Sequence, residues 1–397
     1  MSIFDKAYAA ALDALAARGL HRKLRDAEPL ASGAMLRDGR WLINFSSNDY
    51  LGLSQHPALV ARANEWSERY GTGSGASRLV TGNLHRYAEI EARIAREKGA
   101  EAALILGSGY LTNATLVPAL LRPEAIGTRA IAYSDALNHS SIVHGLRAAR
   151  LKPTVFRHND LSHLEDLLRH DQAEKAHRFI FTESVFSMDG DCANIEALIM
   201  LAERYGCFLY VDEAHATGVL GPRGMGLCAA FPDKVDLVMG TFSKALGSYG
   251  AYVACSQVLR DYLINRMTGL IYSTALPPGV LGAIDAALDL VPSMDAERAN
   301  LARSGERVRQ VFKSAGLDCG LSTTQIIPLV LGDEERVMSF GTSLEEQGVL
   351  GVPIRPPTVP QGTSRIRFAL SAAHDEASID HLIGSVTELA AKQMAPA

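Results

Sequence analysis

Between about residues 80 and 255, short apolar runs alternate with stretches of helical period. Leu84–Lys98 carries apolar side chains at Leu84, Ala88, Ile90, Ile94 and Ala95, the spacing of one helix face, with Gly99 as a stop. Ala103–Leu106, Ala130–Tyr133, Arg178–Thr182, Phe208–Val211 and Asp236–Met239 read as buried strands. A helix with Ile195, Leu198, Ile199, Ala202 and Tyr205 on one side precedes the fourth of them and ends at Gly206. Apolar strands separated by helices predict an α/β fold with a mostly parallel sheet covered on both faces.

The two ends of the chain read differently. The N-terminus, residues 1–18, is an Ala-rich amphipathic helical pattern. Beyond a charge-dotted helical segment near residues 290–315, Gln325–Leu331 and Arg365–Leu370 read as strands, and Glu334–Gln347 and Asp375–Ala391 as helices. These patterns predict an N-terminal helical segment over 1–50, a large α/β domain over 51–286 and a small α+β domain over 287–397.

Charge and cysteine content narrow the function classes. The net charge of the 397 residues is −5, and no block of five like charges occurs, so neither a nucleic acid nor an anionic membrane is expected as partner. No run approaches the roughly 20 apolar residues of a membrane span. The cysteines at 192, 207, 228, 255 and 319 are odd in number and lack a close pair. That argues against a disulfide framework or a CxxC zinc site and suits a reducing cytoplasm.

In parallel sheets ligands bind outside the carboxyl ends of the strands, so the residues after each apolar run are the candidates. Leu106 is followed by Gly107-Ser108-Gly109-Tyr110 entering a helix, which either cradles a phosphate or makes a tight turn. The spacing is neither GxGxxG nor that of a P-loop. Tyr133 leads to His139, Thr182 to Glu183 and Ser187, Val211 to Asp212 and His215, and Met239 to Thr241 and Lys244. A buried aspartate is costly unless a cation meets it. Asp212 and Lys244 would emerge at one sheet edge, either as a structural ion pair or as parts of a pyridoxal phosphate site. In the second case the lysine attacks the aldehyde and the aspartate keeps the pyridine nitrogen protonated. Strand alternation puts Arg365 and Arg367 on one face, where an arginine holds a carboxylate or a salt bridge.

Seven separated segments resemble the α-oxoamine synthases, fold-type-I pyridoxal phosphate enzymes, over roughly residues 10–390. They are FSSNDYLGLS (45–54), GTGSGASRLVTGN (71–83), TESVFSMDGD (182–191), VDEAHATGVLG (211–221), GTFSKALGSYG (240–250), IYSTALPP (271–278) and IRPPTVPQGTSRIR (354–367). The resemblance implies pyridoxal 5′-phosphate as cofactor, with Lys244 as its Schiff-base lysine and proton shuttle, Asp212 on the ring nitrogen, His215 on the phenolic oxygen and His139 stacked on the ring. It implies a phosphate site of Ser108, Gly109, Tyr110 and Thr241, with Thr274 reaching in from the second subunit of a homodimer. Ser187 would contact the ring oxygen or substrate, Asn48 and Arg367 the amino-acid carboxylate, and Arg355 the acyl chain. Relatives place an arginine near the end of the first helix to meet the acyl donor. Here Leu20–Arg25 offers several basic residues, with His21 beside that position and Arg22 as a candidate. The implied reaction is a decarboxylative condensation of an amino acid with an acyl thioester. The segment at 354–367 most resembles members that join L-alanine to a pimeloyl thioester of CoA or of a carrier protein; sister members use serine or glycine with other acyl-CoAs.

Overall fold

A computed structural model describes residues 2–17 and 19–394. Three short antiparallel strands, β1 (Ala27–Pro29), β2 (Ala34–Arg37) and β3 (Arg40–Asn44), come first. The central sheet follows with β4 (Ala102–Leu106), β5 (Arg129–Asp135), β6 (Thr154–Phe156), β7 (Ala176–Glu183), β8 (Cys207–Asp212), β9 (Leu237–Thr241) and β10 (Ala251–Cys255). The last strands are β11 (Ile326–Gly332), β12 (Val349–Leu350), β13 (Val352–Ile354) and β14 (Ser364–Ala369).

The central order is β4-β10-β9-β8-β7-β5-β6. β10 is antiparallel to β4 and β9, and the other ladders are parallel. Side chains alternate between two apolar layers, as a doubly covered sheet requires. Leu104, Leu106 and Met239 meet Leu116, Val117 and Leu120 on one face. Ile180, Leu209 and Val211 meet Leu198, Ile199 and Ala202 on the other. The helix Arg86–Lys98 stops at Gly99, whose φ of 64° suits a residue without Cβ. The helix Ile195–Tyr205 starts on an Asn194 cap and stops at Gly206 in the same left-handed region.

The expected strands and helices are present with ends shifted by a few residues. The first fifty residues depart from the expected helical segment: the helix Ile3–Ala17 is followed by β1–β3. Met1 and Arg18, the ends of the expected helix, lie outside the described residues. A local signal marks the hairpin, because Asp38 and Gly39 both have positive φ between the paired Arg37 and Arg40. β3 then pairs with β12, so residues 34–44 share a sheet with the C-terminal part of the chain. Among the described residues no helix is long and apolar enough to cross a membrane.

One buried ion pair anchors the sheet edge that matters below. Lys98 Nζ donates to Glu213 Oε2 at 2.8 Å, to the Met225 carbonyl at 2.5 Å and to Thr217 Oγ1 at 3.3 Å. Their side chains are 1% and 0% exposed. Burial opposes the ammonium charge, but the Glu213 carboxylate outweighs it and holds Lys98 above its ordinary pKa. Glu213 also accepts the Cys228 N–H, and its own N–H bonds the Met239 carbonyl, tying the end of β8 to β9. Glu213→Ala strands a buried cation and should cost about 3–5 kcal/mol of stability in urea unfolding. The pair Lys98→Met with Glu213→Leu should recover most of that loss. A single-variant loss under about 1 kcal/mol, the scale of a surface pair, would remove this anchor from the account.

Candidate active site

The carboxyl ends of β4, β5, β7, β8 and β9 converge on a cavity of about 200 Å³ lined by Ser108, Gly109, Tyr110, Asn113, His139, Ser141, Glu183, Asp212, His215, Thr241 and Lys244. A larger cavity, about 500 Å³, lies at the opposite ends of these strands against Phe179, Phe208 and Phe231 and is lined by none of these groups.

Asp212 is fixed from two sides. Asn113 Nδ2 donates to its Oδ2 at 2.8 Å and the Ala214 N–H to its Oδ1 at 2.9 Å. Asn113 is itself oriented by the Tyr210 hydroxyl and donates to Ser141 Oγ at 3.0 Å. Ser141 lies 2.6 Å from His139 Nδ1, and the Ser141 backbone N–H also points at that nitrogen, at 3.3 Å. A backbone N–H can only donate, so Nδ1 accepts and the neutral ring carries its proton on Nε2. Burial lowers the His139 pKa, with Asp212 opposing and Lys244 adding to the effect.

Glu183 is the neighbour of Asp212 in the β7–β8 register. Its Oε1 accepts the His139 N–H at 2.5 Å. Burial and then the Asp212 charge push its pKa well above the usual carboxylate range. Two carboxylates thus share one edge, and Glu183 resists ionising there.

Lys244 makes no hydrogen bond or ion pair among the described residues. Burial lowers its pKa, against the pull of Asp212 and Glu183. A desolvated, unpartnered amine is the state in which a lysine acts as nucleophile and base. The bland alternative, a structural Asp212–Lys244 salt bridge, is not formed.

The glycine turn after β4 opens the helix Gly109–Leu120, with Ser108 Oγ capping the Leu111 N–H at 3.3 Å. Its first N–H groups face the cavity edge, where an anion is favoured. Across the turn, the Thr241 hydroxyl is buried with no partner among the described residues. A Cβ at Gly109 would sit 2.8 Å from Thr241 Cγ2 and fill this cradle. An orphaned hydroxyl beside helix N–H groups, opposite an acceptor and an amine, fits a phosphate-bearing pyridine aldehyde.

A second network closes the site from the C-terminal side. Tyr50 Oη lies 2.6 Å from His215 Nδ1 and 3.0 Å from Asn48 Oδ1. Arg367 donates through Nη2 to Asn48 Oδ1 at 3.2 Å and to Tyr50 Oη at 3.3 Å, and through Nε to the Ser187 carbonyl at 2.5 Å. Burial lowers the His215 pKa well below its ordinary value, so the ring is neutral. The two arginines of β14 now separate. Arg365 is paired with Asp189 at 2.5 Å, whereas Arg367, 7% exposed, meets only neutral acceptors among the described residues. A buried guanidinium without an anion is a carboxylate receptor.

Not every expected residue reaches this cavity. Thr274 is exposed on a segment bridged to Ser77. Arg355 donates to the Gly19 carbonyl, and Arg22 is exposed. Asn113, Ser141 and Tyr50 are groups that sequence reading missed, and Glu183 was a candidate there without a role. Glu183 ends an apolar strand as Asp212 does, and the same cost of burial pointed to it. Asn113 stands one helical turn after Gly109, a weaker signal.

The sequence profile of the family "Aminotransferase class I and II" matches residues 40–386. The chain is 55% identical, over 98% of both chains, to an 8-amino-7-oxononanoate synthase of Gluconacetobacter diazotrophicus. It superimposes on the serine palmitoyltransferase of Sphingomonas wittichii with a TM-score of 0.91 at 25% identity, over 100% of both chains. The crystal structure of an 8-amino-7-oxononanoate synthase from Francisella tularensis matches with a TM-score of 0.76 at 24% identity, over 89% of this chain and 99% of the other.

Proposed function

The chain belongs to the aminotransferase class I and II family, and from that premise we propose that it binds pyridoxal 5′-phosphate in this cavity and condenses L-alanine with a pimeloyl thioester, releasing CO2, the thiol and 8-amino-7-oxononanoate. The relative at 55% identity over nearly the whole chain carries the choice of activity. When bound, the cofactor supplies an aldehyde for amines and a protonated ring that accepts the electron pair released at the α-carbon.

The chain's own residues divide the work. Gly109 and Tyr110 N–H groups, Ser108 and the otherwise orphaned Thr241 hydroxyl hold the phosphate. Asp212, held by Asn113 and Ala214, keeps the proton on the ring nitrogen. His139, oriented by Ser141, would pack against the ring, and His215 and Ser187 would meet the phenolic oxygen. Arg367 and Asn48 grip the alanine carboxylate, which sets the Cα–H bond toward Lys244. Lys244 Nζ takes that α-proton and returns it after CO2 leaves. Arg355 and Arg22 stand at the acyl-donor side, and the thioester carrier is CoA or a carrier protein.

We further infer a homodimer in which Thr274 of one copy completes the phosphate site of the other. Its exposure in a single chain supports this, as does the helix Ile3–Ala17, which leaves Phe4, Tyr8 and Leu12 uncovered. A reducing cytoplasm suits the five cysteines, which stay unpaired.

The test is a product screen with alanine, glycine and serine against pimeloyl-CoA, pimeloyl carrier protein and palmitoyl-CoA, read by mass. Alanine with a pimeloyl thioester should give the 8-amino-7-oxononanoate mass. Serine with palmitoyl-CoA is the second reading, favoured by the TM-score of 0.91. If that pair reacts while alanine stays inert, the proposed activity is lost.

A further inference from the structure

Behind the catalytic cavity lies a polar cluster, a half-buried His158 between two buried aspartates, that none of the chemistry above uses. His158 sits between Asp135, the last residue of β5, and Asp191, at the end of the loop leaving β7. Its Nδ1 is 2.9 Å from Asp135 Oδ1 and its Nε2 is 2.9 Å from Asp191 Oδ2. The two aspartate side chains are 0% and 7% exposed. Each ring nitrogen faces a carboxylate oxygen, so both must donate, and the ring is an imidazolium. Asp191 Oδ1 is buried without a partner, which leaves its charge resting on His158 and on Asn159 Nδ2 at 2.7 Å. Burial opposes the His158 charge, yet the two carboxylates raise its pKa to about 10.

The loop tied down by Asp191 is the surface on which the C-terminal part of the chain rests. Arg367 donates to the Ser187 carbonyl, and Arg365 to Asp189 Oδ1 and the Met188 carbonyl. The Gly190 carbonyl accepts from the Thr323 N–H at 3.0 Å and from Thr324 Oγ1 at 2.9 Å. Gly190 has a φ of +70°, and a Cβ there would lie 2.0 Å from the Ile326 carbonyl oxygen, so the loop has no slack. On the other side, Asp135 Oδ1 accepts the Leu137 N–H at 2.8 Å, which starts the turn that carries His139.

We propose that His158 is a positioning residue: by binding the 184–191 loop to the end of β5, it sets where Arg367 stands relative to His139 and Asp212, and so sets the affinity for the amino-acid carboxylate. This rests on the reading that Arg367 grips that carboxylate. The loop carries no substrate contact of its own here except through Ser187. It is the frame against which a cationic receptor is registered, and a displacement of well under a hydrogen-bond length weakens such a grip.

The experiment uses the holoenzyme and calorimetric titration of alanine beside steady-state kinetics. His158→Asn should raise the alanine Kd and KM about tenfold while kcat changes less than about threefold, the pattern of lost uniform binding. Asp191→Asn, which keeps an oxygen for His158 to bond, should shift both constants the same way by about threefold and serves if His158→Asn does not fold. In an Arg367→Ala background the His158→Asn effect should shrink below about twofold, because residues acting through one another are not additive. A lowered melting temperature with an unchanged alanine Kd would make His158 merely structural and overturn the proposal. An unchanged Kd in Arg367→Ala itself would instead overturn the assignment of Arg367, and those two outcomes are told apart by the single variants.

Discussion

Lys244→Ala is expected to abolish turnover while leaving the fold intact. The side chain is half-buried, makes no hydrogen bond among the described residues and has its pKa lowered mainly by desolvation, so removing it breaks no hydrogen bond among them. Its proton-transfer role alone is worth about 10²–10⁴-fold in kcat, and the covalent role adds to that. The loss should therefore be at least about a thousandfold, with a change in melting temperature of no more than about 2 °C, as for a side chain without structural partners. Borohydride reduction followed by peptide mass analysis should find the cofactor attached at residue 244 in the wild type and absent in the variant. Because the neutral amine is the reactive form, the rate of attachment should climb with pH along a limb below the ordinary lysine value of 10.5. An active Lys244→Ala enzyme would remove this residue from the chemistry.

Asp212→Asn carries the second large effect. Its oxygens are already spoken for by Asn113 and the Ala214 N–H, which fix the carboxylate rather than neutralise it. The amide keeps the shape and loses the charge that holds a proton on the facing ring nitrogen. Loss of one preorganised electrostatic contact of this kind costs about 10²–10³ in kcat. The measurement is kcat at saturating cofactor and alanine, so that weakened binding does not contribute. Stability should fall by about 1–3 kcal/mol, because the amide keeps one acceptor for two buried donors and its NH2 meets either Asn113 Nδ2 or the Ala214 N–H. A loss under tenfold would mean that Glu183, its register neighbour, carries the charge instead.

These two expectations were open to sequence reading, because an acid and a lysine at the ends of apolar strands stand out against the cost of burying them. Other parts of the site were not. Asn113 and Ser141 lie on separate helices, and only the packing of those helices joins them into the chain Asp212–Asn113–Ser141–His139. Tyr50 looks like a core aromatic in the sequence, and its hydroxyl meets His215 across 165 positions. β10 was not among the runs read as strands, and nothing local says that it inserts antiparallel between β4 and β9. β1 and β2 were obscured by their shortness, and β3, which begins with exposed Arg40 and Trp41, lacks the continuous apolar run of the central strands.

The sequence by itself determined the layered α/β fold, since period-2 and period-3.6 apolar patterns report which faces must leave water. It also marked Asp212 and Lys244 at the strand ends as the residues for which a reactive role is proposed, because the chain has a charge there in an otherwise apolar setting. Tertiary structure alone decided between equivalent candidates. Alternation makes Arg365 and Arg367 alike, and only the arrival of Asp189, 176 positions away, neutralises the first and leaves the second for a carboxylate. It likewise decided that Asp212 is bonded by Asn113 and the Ala214 N–H while Lys244 forms no ion pair among the described residues. Local pattern encodes what a residue must hide; which partner it meets depends on contacts between distant segments, and those set the chemistry.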